Sequence, residues 1–133
     1  MDRTPATAQT TGLEIQGLER RLGKRLLLEQ LHLSVKPGEC LALLGPSGCG
    51  KTTTLRLLAG LDPVSGGRIL LDGVDITSQP AGQRRVAMVF QSYALYPHLS
   101  VYENLALGLR IRGVAASERD SRIVTILELL QLV

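Results

Sequence analysis

Gly45-Pro46-Ser47-Gly48-Cys49-Gly50-Lys51-Thr52 decides how this chain is read. The preceding run, Cys40-Leu41-Ala42-Leu43-Leu44, is apolar and of strand length, and predicts a short buried strand. The residues after it, Thr52 to Ala59, predict a helix that starts near Lys51, buries Leu55, Leu58 and Ala59, and stops at Gly60. Strand, glycine-rich loop and helix in that order turn a G-x-x-x-x-G-K-T string into a phosphate-binding loop. Gly45, Gly48 and Gly50 can take positive φ, so the main chain can wrap closely round an anion. Successive N–H groups then converge on it, and the helix start adds its own unpaired N–H groups. Lys51 supplies a mobile charge for the β- and γ-phosphates, and Thr52 a hydroxyl for Mg²⁺. Thr53 is expected on the α-phosphate side. The ligand implied is ATP or another nucleoside triphosphate with Mg²⁺, held by Gly45, Pro46, Ser47, Gly48, Cys49, Gly50, Lys51, Thr52 and Thr53. Gly48-x-Gly50 lacks the third glycine of a dinucleotide fingerprint.

Working outward, Leu13-Glu14-Ile15-Gln16-Gly17-Leu18 alternates apolar and polar, as a half-buried strand does. Leu26 to Val35 continues as strand with Leu31, Leu33 and Val35 on one face, and Lys36-Pro37-Gly38-Glu39 is a turn. Gly67 to Leu71 predicts a strand ending at the turn pair Asp72-Gly73. Gln79 to Gln83 is a further turn. Val86-Ala87-Met88-Val89-Phe90 is a continuous apolar run that suits a strand covered on both faces, and Gln91 ends it. Beyond it the pattern is helical. Ser100-Val101-Tyr102-Glu103 matches a capping box, and Ser117-Glu118-Arg119-Asp120 is a weaker cap before an apolar stripe of Ile123, Val124, Ile126, Leu127 and Leu130. Residues 1–11 carry no periodic pattern and read as a disordered tail.

Hydrophobic residues make up 44% of the 133, enough for a core, but the only aromatic residues are Phe90, Tyr93, Tyr96 and Tyr102. A net charge of +3 is too mild to argue for nucleic acid, and Arg20-Arg21, Lys24-Arg25 and Arg84-Arg85 read as solvated faces or turns. The two cysteines, Cys40 and Cys49, suit reduced thiols of a cytosolic protein, with neither disulfide nor metal spacing. No run approaches a membrane span, so any work at a membrane is expected from its cytoplasmic face through partners.

Three strings, GPSGCGKTT at 45–53, LLAGLDPVSGGRILLDG at 57–73 and VAMVFQSYALYPHLSVYENLALGL at 86–109, together closely resemble the ATP-binding subunits of ABC transporters. The third is similar to the maltose-type ATPases of sugar importers. The resemblance implies an α/β P-loop NTPase (RecA-like) ABC ATPase core with an antiparallel β subdomain, truncated at the start of its helical subdomain. Its parts are residues 12–91, the β and phosphate-loop region, and 92–133, the start of the helical subdomain. It implies that Lys51 and Gln91 serve the reaction and that Thr52 and Gln91 contact Mg²⁺. It further implies that Gln91 couples nucleotide state to rotation of the helical subdomain. Tyr93 to Asn104, with Tyr93, Tyr96, Pro97 and His98 foremost, becomes the expected contact with a membrane subunit. A second ATPase subunit and, indirectly, a solute-binding protein complete the expected assembly. An importer of polyamine, sulfate or metal-chelate is the alternative within the family, and a non-catalytic nucleotide-binding or regulatory protein the alternative outside it. No N-K-x-D string supports a GTPase.

Two departures from the family pattern stand out. Leu22 occupies the position where the resemblance implies an adenine-stacking aromatic, a loss of about 1 kcal/mol of base affinity. Arg20 or Arg21 could replace part of that stack. In addition, the 133 residues contain no LSGGQ signature, no Walker B Asp-Glu and no switch histidine, so triphosphate binding with very slow hydrolysis is expected. In the family's core sheet, strands from beyond Val133 lie between Cys40–Leu44 and Val86–Phe90. Both runs are therefore expected to show unpaired apolar edges.

Overall fold

A computed structural model describes residues 12–133, so the expected tail at 1–11 lies outside the described residues. The described chain divides into two compact units, one ending at Met88 and one running from Val89 to Val133.

The first unit is built on an antiparallel sheet of order β2-β1-β3-β4. Its strands are β1 (Leu13–Leu22), β2 (Arg25–Val35), β3 (Gly66–Leu71) and β4 (Val74–Asp75). Two-residue turns set the hairpins. Gly23 takes φ 57 between the paired residues Leu22 and Arg25. Asp72 and Gly73 both take positive φ, 49° and 79°, which is what a type I′ turn asks of its central residues. β1 departs from simple alternation. The register slips between Ile15 and Leu18, where Gly17 sits at φ 57, so two residues three apart both enter the core. That core is small: Ile15 and Leu18 from β1, Ile69 from β3, Leu57 from the helix α1 (Lys51–Ala59), and Ile76.

Helix α1 forms where the sequence places it and ends at Gly60 in the left-handed region (φ 77). Its buried face differs from the expected one. Leu57 and Thr54 are buried, whereas Leu55 is exposed and Leu58 and Ala59 only half-buried. Both stripes fit the helical period, and the sheet selects the one it contacts.

Two predicted strands do not form. Cys40–Leu44 and Val86–Phe90 do not join the sheet, and Cys40, Leu41, Ala42, Leu44, Val86 and Val89 are exposed. A strand is stabilised by exchanging hydrogen bonds with a neighbour, and neither run has a partner strand among the described residues. The apolar exposure matches the expectation of uncovered edges; the strand geometry does not.

The second unit is a helical pair, α2 (Val101–Ile111) and α3 (Ala116–Leu129). Ser100 caps α2 in a complete capping box: the Glu103 N–H donates to Ser100 Oγ at 3.2 Å, and the Ser100 N–H donates to Glu103 Oε2 at 2.7 Å. Those bonds hold the Glu103 carboxyl below its ordinary pKa. The expected cap at Ser117 is displaced: α3 starts at Ala116, with Ala115 at the cap position and no side-chain bond. Ala106 and Ile123 are the buried apolar residues of the pair, and the Tyr102 hydroxyl donates to Asp120 across it. Val124, Ile126 and Leu130, expected on the buried stripe, are exposed.

Candidate functional site

The phosphate loop runs from Gly45 into the first turn of α1. Gly48 and Gly50 take φ 80 and 100, conformations that a side chain would strain. Gly45 does not take positive φ; a Cβ there would come within 2.6 Å of Cys49 Sγ, so that side chain would have to turn aside. The loop is closed by the Cys49 N–H donating to Pro46 O at 3.3 Å.

The helix start is left open. Gly50 occupies the cap position and offers no side-chain acceptor, and the first turn carries no acidic residue. The N–H groups of Lys51, Thr52 and Thr53 therefore have no intrahelical acceptor, and the positive end of the helix dipole is uncompensated by protein charge. Lys51 Nζ folds back over the loop and donates to the carbonyls of Gly45 and of Pro46 (2.9 Å), with Cys49 Sγ at 3.7 Å. Thr52 is exposed, and the Thr54 hydroxyl is turned inward, donating to Gly50 O at 2.8 Å. Main-chain N–H groups, an ammonium and a free hydroxyl are donors and ligands suited to polyphosphate oxygens and a hard cation, so the residues fit MgATP. An apolar cleft of about 530 Å³ lies beside this end of α1, lined by Leu33, Leu41, Leu43 and Leu55 together with Lys51 and Thr52.

The other end of α1 is heavily bonded. The Gly60 N–H donates to Leu57 O (3.2 Å) and the Leu61 N–H to Arg56 O (3.0 Å), the two bonds of a Schellman motif. Arg56 forms a two-point pair with Asp62, at 2.9 and 3.2 Å. Hydrogen bonding to the Arg56 guanidinium holds the Asp62 carboxyl below its ordinary pKa. Arg84, read above as part of a solvated doublet, is buried, and its guanidinium donates to four main-chain carbonyls. Arg85 alone is exposed. Nothing local in the sequence separates the two arginines, because the acceptors are brought by the fold.

Gln91 is exposed in a turn of the second unit, followed by Tyr93 and Ala94 at φ 62 and 48. Tyr93, Leu95 and Tyr96 are exposed. Asn104 shapes this segment: its Oδ1 accepts from the Tyr96 N–H (2.9 Å), while its Nδ2 donates to the carbonyls of Tyr96, Leu99 and Ser100. Leu22 is exposed at the end of β1, and Arg20 is occupied by the Pro63 carbonyl at 3.0 Å.

Residues 28–133 match the description of the ABC transporter family. The chain belongs to the ABC transporter family. Among relatives, the spermidine/putrescine import ATP-binding protein PotA of Pasteurella multocida is 48% identical over 120 residues, covering 90% of this chain and 32% of that protein. PotA of Aliivibrio fischeri is 44% identical over 132 residues, covering 99% and 36%. The chain thus spans about a third of the length of the curated relatives it matches. It corresponds to the N-terminal part of an ABC ATP-binding domain. A solved dimeric structure of the ATP-binding cassette MJ0796, bound to ADP and Pi, superposes with a TM-score of 0.73 at 24% identity, covering 90% of this chain and 57% of that one. That likeness shows the fold: a P-loop ABC ATPase core with an antiparallel β subdomain. Among the described residues no helix of this ABC chain is long and apolar enough to cross a membrane.

Proposed function

We propose that this chain is the nucleotide-gripping part of the energy-coupling ATPase of an ABC importer, and that the importer carries polyamines. The observation that carries the nucleotide reading is the start of α1. It has a glycine loop wrapped ahead of it, no acidic residue in its first turn, no side-chain cap, and Lys51 lying across the loop. Residues 45–53 hold the triphosphate with main-chain N–H groups, and Lys51 exchanges its two loop carbonyls for phosphate oxygens. Thr52 would offer its hydroxyl to Mg²⁺, which when bound neutralises phosphate charge. Gln91 then reports nucleotide state to the helical segment from residue 92 onward, and Tyr93 to Asn104 meets a membrane subunit at the cytoplasmic face. A second ATPase subunit and a solute-binding protein belong to the same assembly. Within these 133 residues the activity proposed is binding, with hydrolysis requiring the signature and Walker B groups they do not contain.

Polyamine transport is favoured over sugar because the relatives at 44–48% identity are named for spermidine and putrescine import. A sugar importer is the second reading, favoured by the resemblance of residues 86–109.

Titration with a fluorescent ATP analogue and Mg²⁺ tests the site. Lys51→Ala removes charge-assisted hydrogen bonds worth about 1.5–3 kcal/mol, so affinity should drop about ten- to a hundredfold. Unaltered affinity overturns the reading. Solute class is tested by grafting residues 12–133 in place of the matching segment of a PotA and measuring putrescine uptake. Retained uptake supports the polyamine reading; uptake restored only in a sugar-importer graft overturns it.

A further inference from the structure

We propose that Arg84 is a positioning residue for polyphosphate binding, anchoring the far end of the helix whose near end carries the phosphate loop. This rests on the reading of residues 45–53 as the nucleotide site. The Arg84 side chain is only 6% exposed, and among the described residues it forms no ion pair. A buried cation without a counter-ion is costly unless its donors are satisfied. Here all three guanidinium nitrogens donate, through four of the five N–H groups. Nη1 donates to the carbonyls of Leu57 (2.8 Å) and Leu58 (3.1 Å), Nε to Gln79 O (2.9 Å) and Nη2 to Thr77 O (3.0 Å). Two of these acceptors are the last carbonyls of α1, where the helix dipole is negative, and the other two belong to the loop before Arg84. Gly60 leaves the room required: a Cβ there would come within 2.8 Å of Arg84 Nε and 3.1 Å of Ala81 Cα.

The asymmetry of α1 is the argument for function over mere packing. Nine residues make a helix about 13 Å long, too short to be stable alone, so tertiary contacts decide where it lies. Leu57 holds it sideways against the sheet. Its C-terminal end carries the Schellman bonds, the Arg56–Asp62 pair and Arg84, while its N-terminal end has no side-chain cap and is bonded only by Lys51 to the loop carbonyls and by Thr54 to Gly50 O. Apart from Lys51, which the ligand is proposed to draw off the loop carbonyls, the polar side-chain bonds that tie the helix to residues outside it are at the end away from the phosphate loop. The open end can therefore be reserved for an anion without the helix shifting, and Arg84 is the polar anchor that ties the C-terminal end of α1 to residues 77–79. An ammonium at the same place keeps the charge but cannot form the four-bond planar fork.

The test compares wild type, Arg84→Lys and Arg84→Met by titration with a fluorescent ATP analogue and by competition with inorganic tripolyphosphate. Measurements are made well below each variant's melting temperature, where a purely structural role leaves the affinity of the folded molecules unchanged. Both variants should bind about three- to thirtyfold more weakly, the range for coupling through one packed element, and tripolyphosphate should show the same loss. Folded variants with wild-type affinity overturn the proposal. Should Arg84→Met fail to fold, hydrogen exchange of the wild-type chain decides. Nucleotide should slow exchange at Gly60–Leu61 and in residues 77–84, and protection confined to residues 45–55 overturns the role. Wild type that binds neither probe overturns the nucleotide reading itself, and this role with it; weak binding by Lys51→Ala beside normal binding by the Arg84 variants overturns only the latter.

Discussion

Leu57→Ala is the sharpest perturbation of the scaffold under the phosphate loop. Leu57 is fully buried and is the residue by which α1 joins Ile15, Leu18, Ile69 and Ile76. Removing the side chain loses its transfer free energy and leaves a void that a five-residue cluster can only partly close, about 3–4 kcal/mol. A unit this small lies near the low end of domain stability, about 5 kcal/mol, so most of its margin would go. Leu55→Ala on the same helix is the control. Leu55 is 47% exposed, and truncating it should cost about 1 kcal/mol or less. The ordering matters because periodicity alone allows either residue to be the buried one. Fluorescence is blind here, since Phe90 and all three tyrosines lie in the second unit. Native-state hydrogen exchange of β1 and β3 amides reports the right region: Leu57→Ala should speed their exchange about a hundred- to a thousandfold, and Leu55→Ala less than about tenfold. Equal effects, or a larger one from Leu55→Ala, would refute the packing of α1 described above.

Three further outcomes follow from the same geometry. Gly67→Ala places a Cβ within 2.2 Å of Gly17 O at a φ of 81, so the left-handed penalty of about 1–2 kcal/mol adds to a forced backbone shift; a thermal melt within a degree of wild type would contradict it. Asp62, Asp75 and Glu103 all have pKa values held below the ordinary carboxylate range, by Arg56, by Thr77 and by the Ser100 cap respectively. Depressed folded values mean that their stabilisation is present above the unfolded pKa, about 4, and is lost as pH falls through the folded values. Melting temperature should therefore decline below about pH 4, and a rise there in calorimetry would reverse the sign of the argument. Finally, Cys49 and Cys40 are both exposed thiols, but only Cys49 lies in the phosphate loop. Saturating MgATP, at a hundred times Kd, should slow alkylation of Cys49 about a hundredfold and spare Cys40, as read by peptide mass spectrometry. Equal rates at both would contradict nucleotide binding at residues 45–53.

Which parts of the structure were legible in the sequence follows from the range of the forces involved. The hairpin turn at Asp72-Gly73, the stop at Gly60 and the capping box at Ser100 each depend on residues within four positions of one another, and each forms as read. Cys40–Leu44 and Val86–Phe90 read as strands because their apolar runs are right, yet a strand also needs a neighbour, and no local pattern supplies one. Leu57 rather than Leu55 is buried because the sheet chooses between two stripes that the helical period allows equally. The cap expected at Ser117 is two residues late because α3 packs Ile123 and begins without any side-chain cap.

The candidate site divides along the same line. Gly45 to Thr52 is readable because its chemistry is main-chain and continuous: glycine spacing, the following helix and one lysine suffice to predict an anion grip. What holds that grip in place is discontinuous. Arg84 takes its acceptors from residues 57, 58, 77 and 79, and in sequence it is indistinguishable from the exposed Arg85 beside it. Motif reading therefore finds the atoms proposed to touch the ligand and passes over those proposed to keep them still. For a helix of nine residues that omission is large, because such a helix has little stability of its own and its N–H groups are only as well aimed as its far end is anchored. Substitutions at Leu57 and Arg84 should then weaken polyphosphate binding by different routes. The first does so by depopulating the folded unit near its lowered melting temperature and is rescued by cooling. The second does so by mis-aiming a folded one and is not.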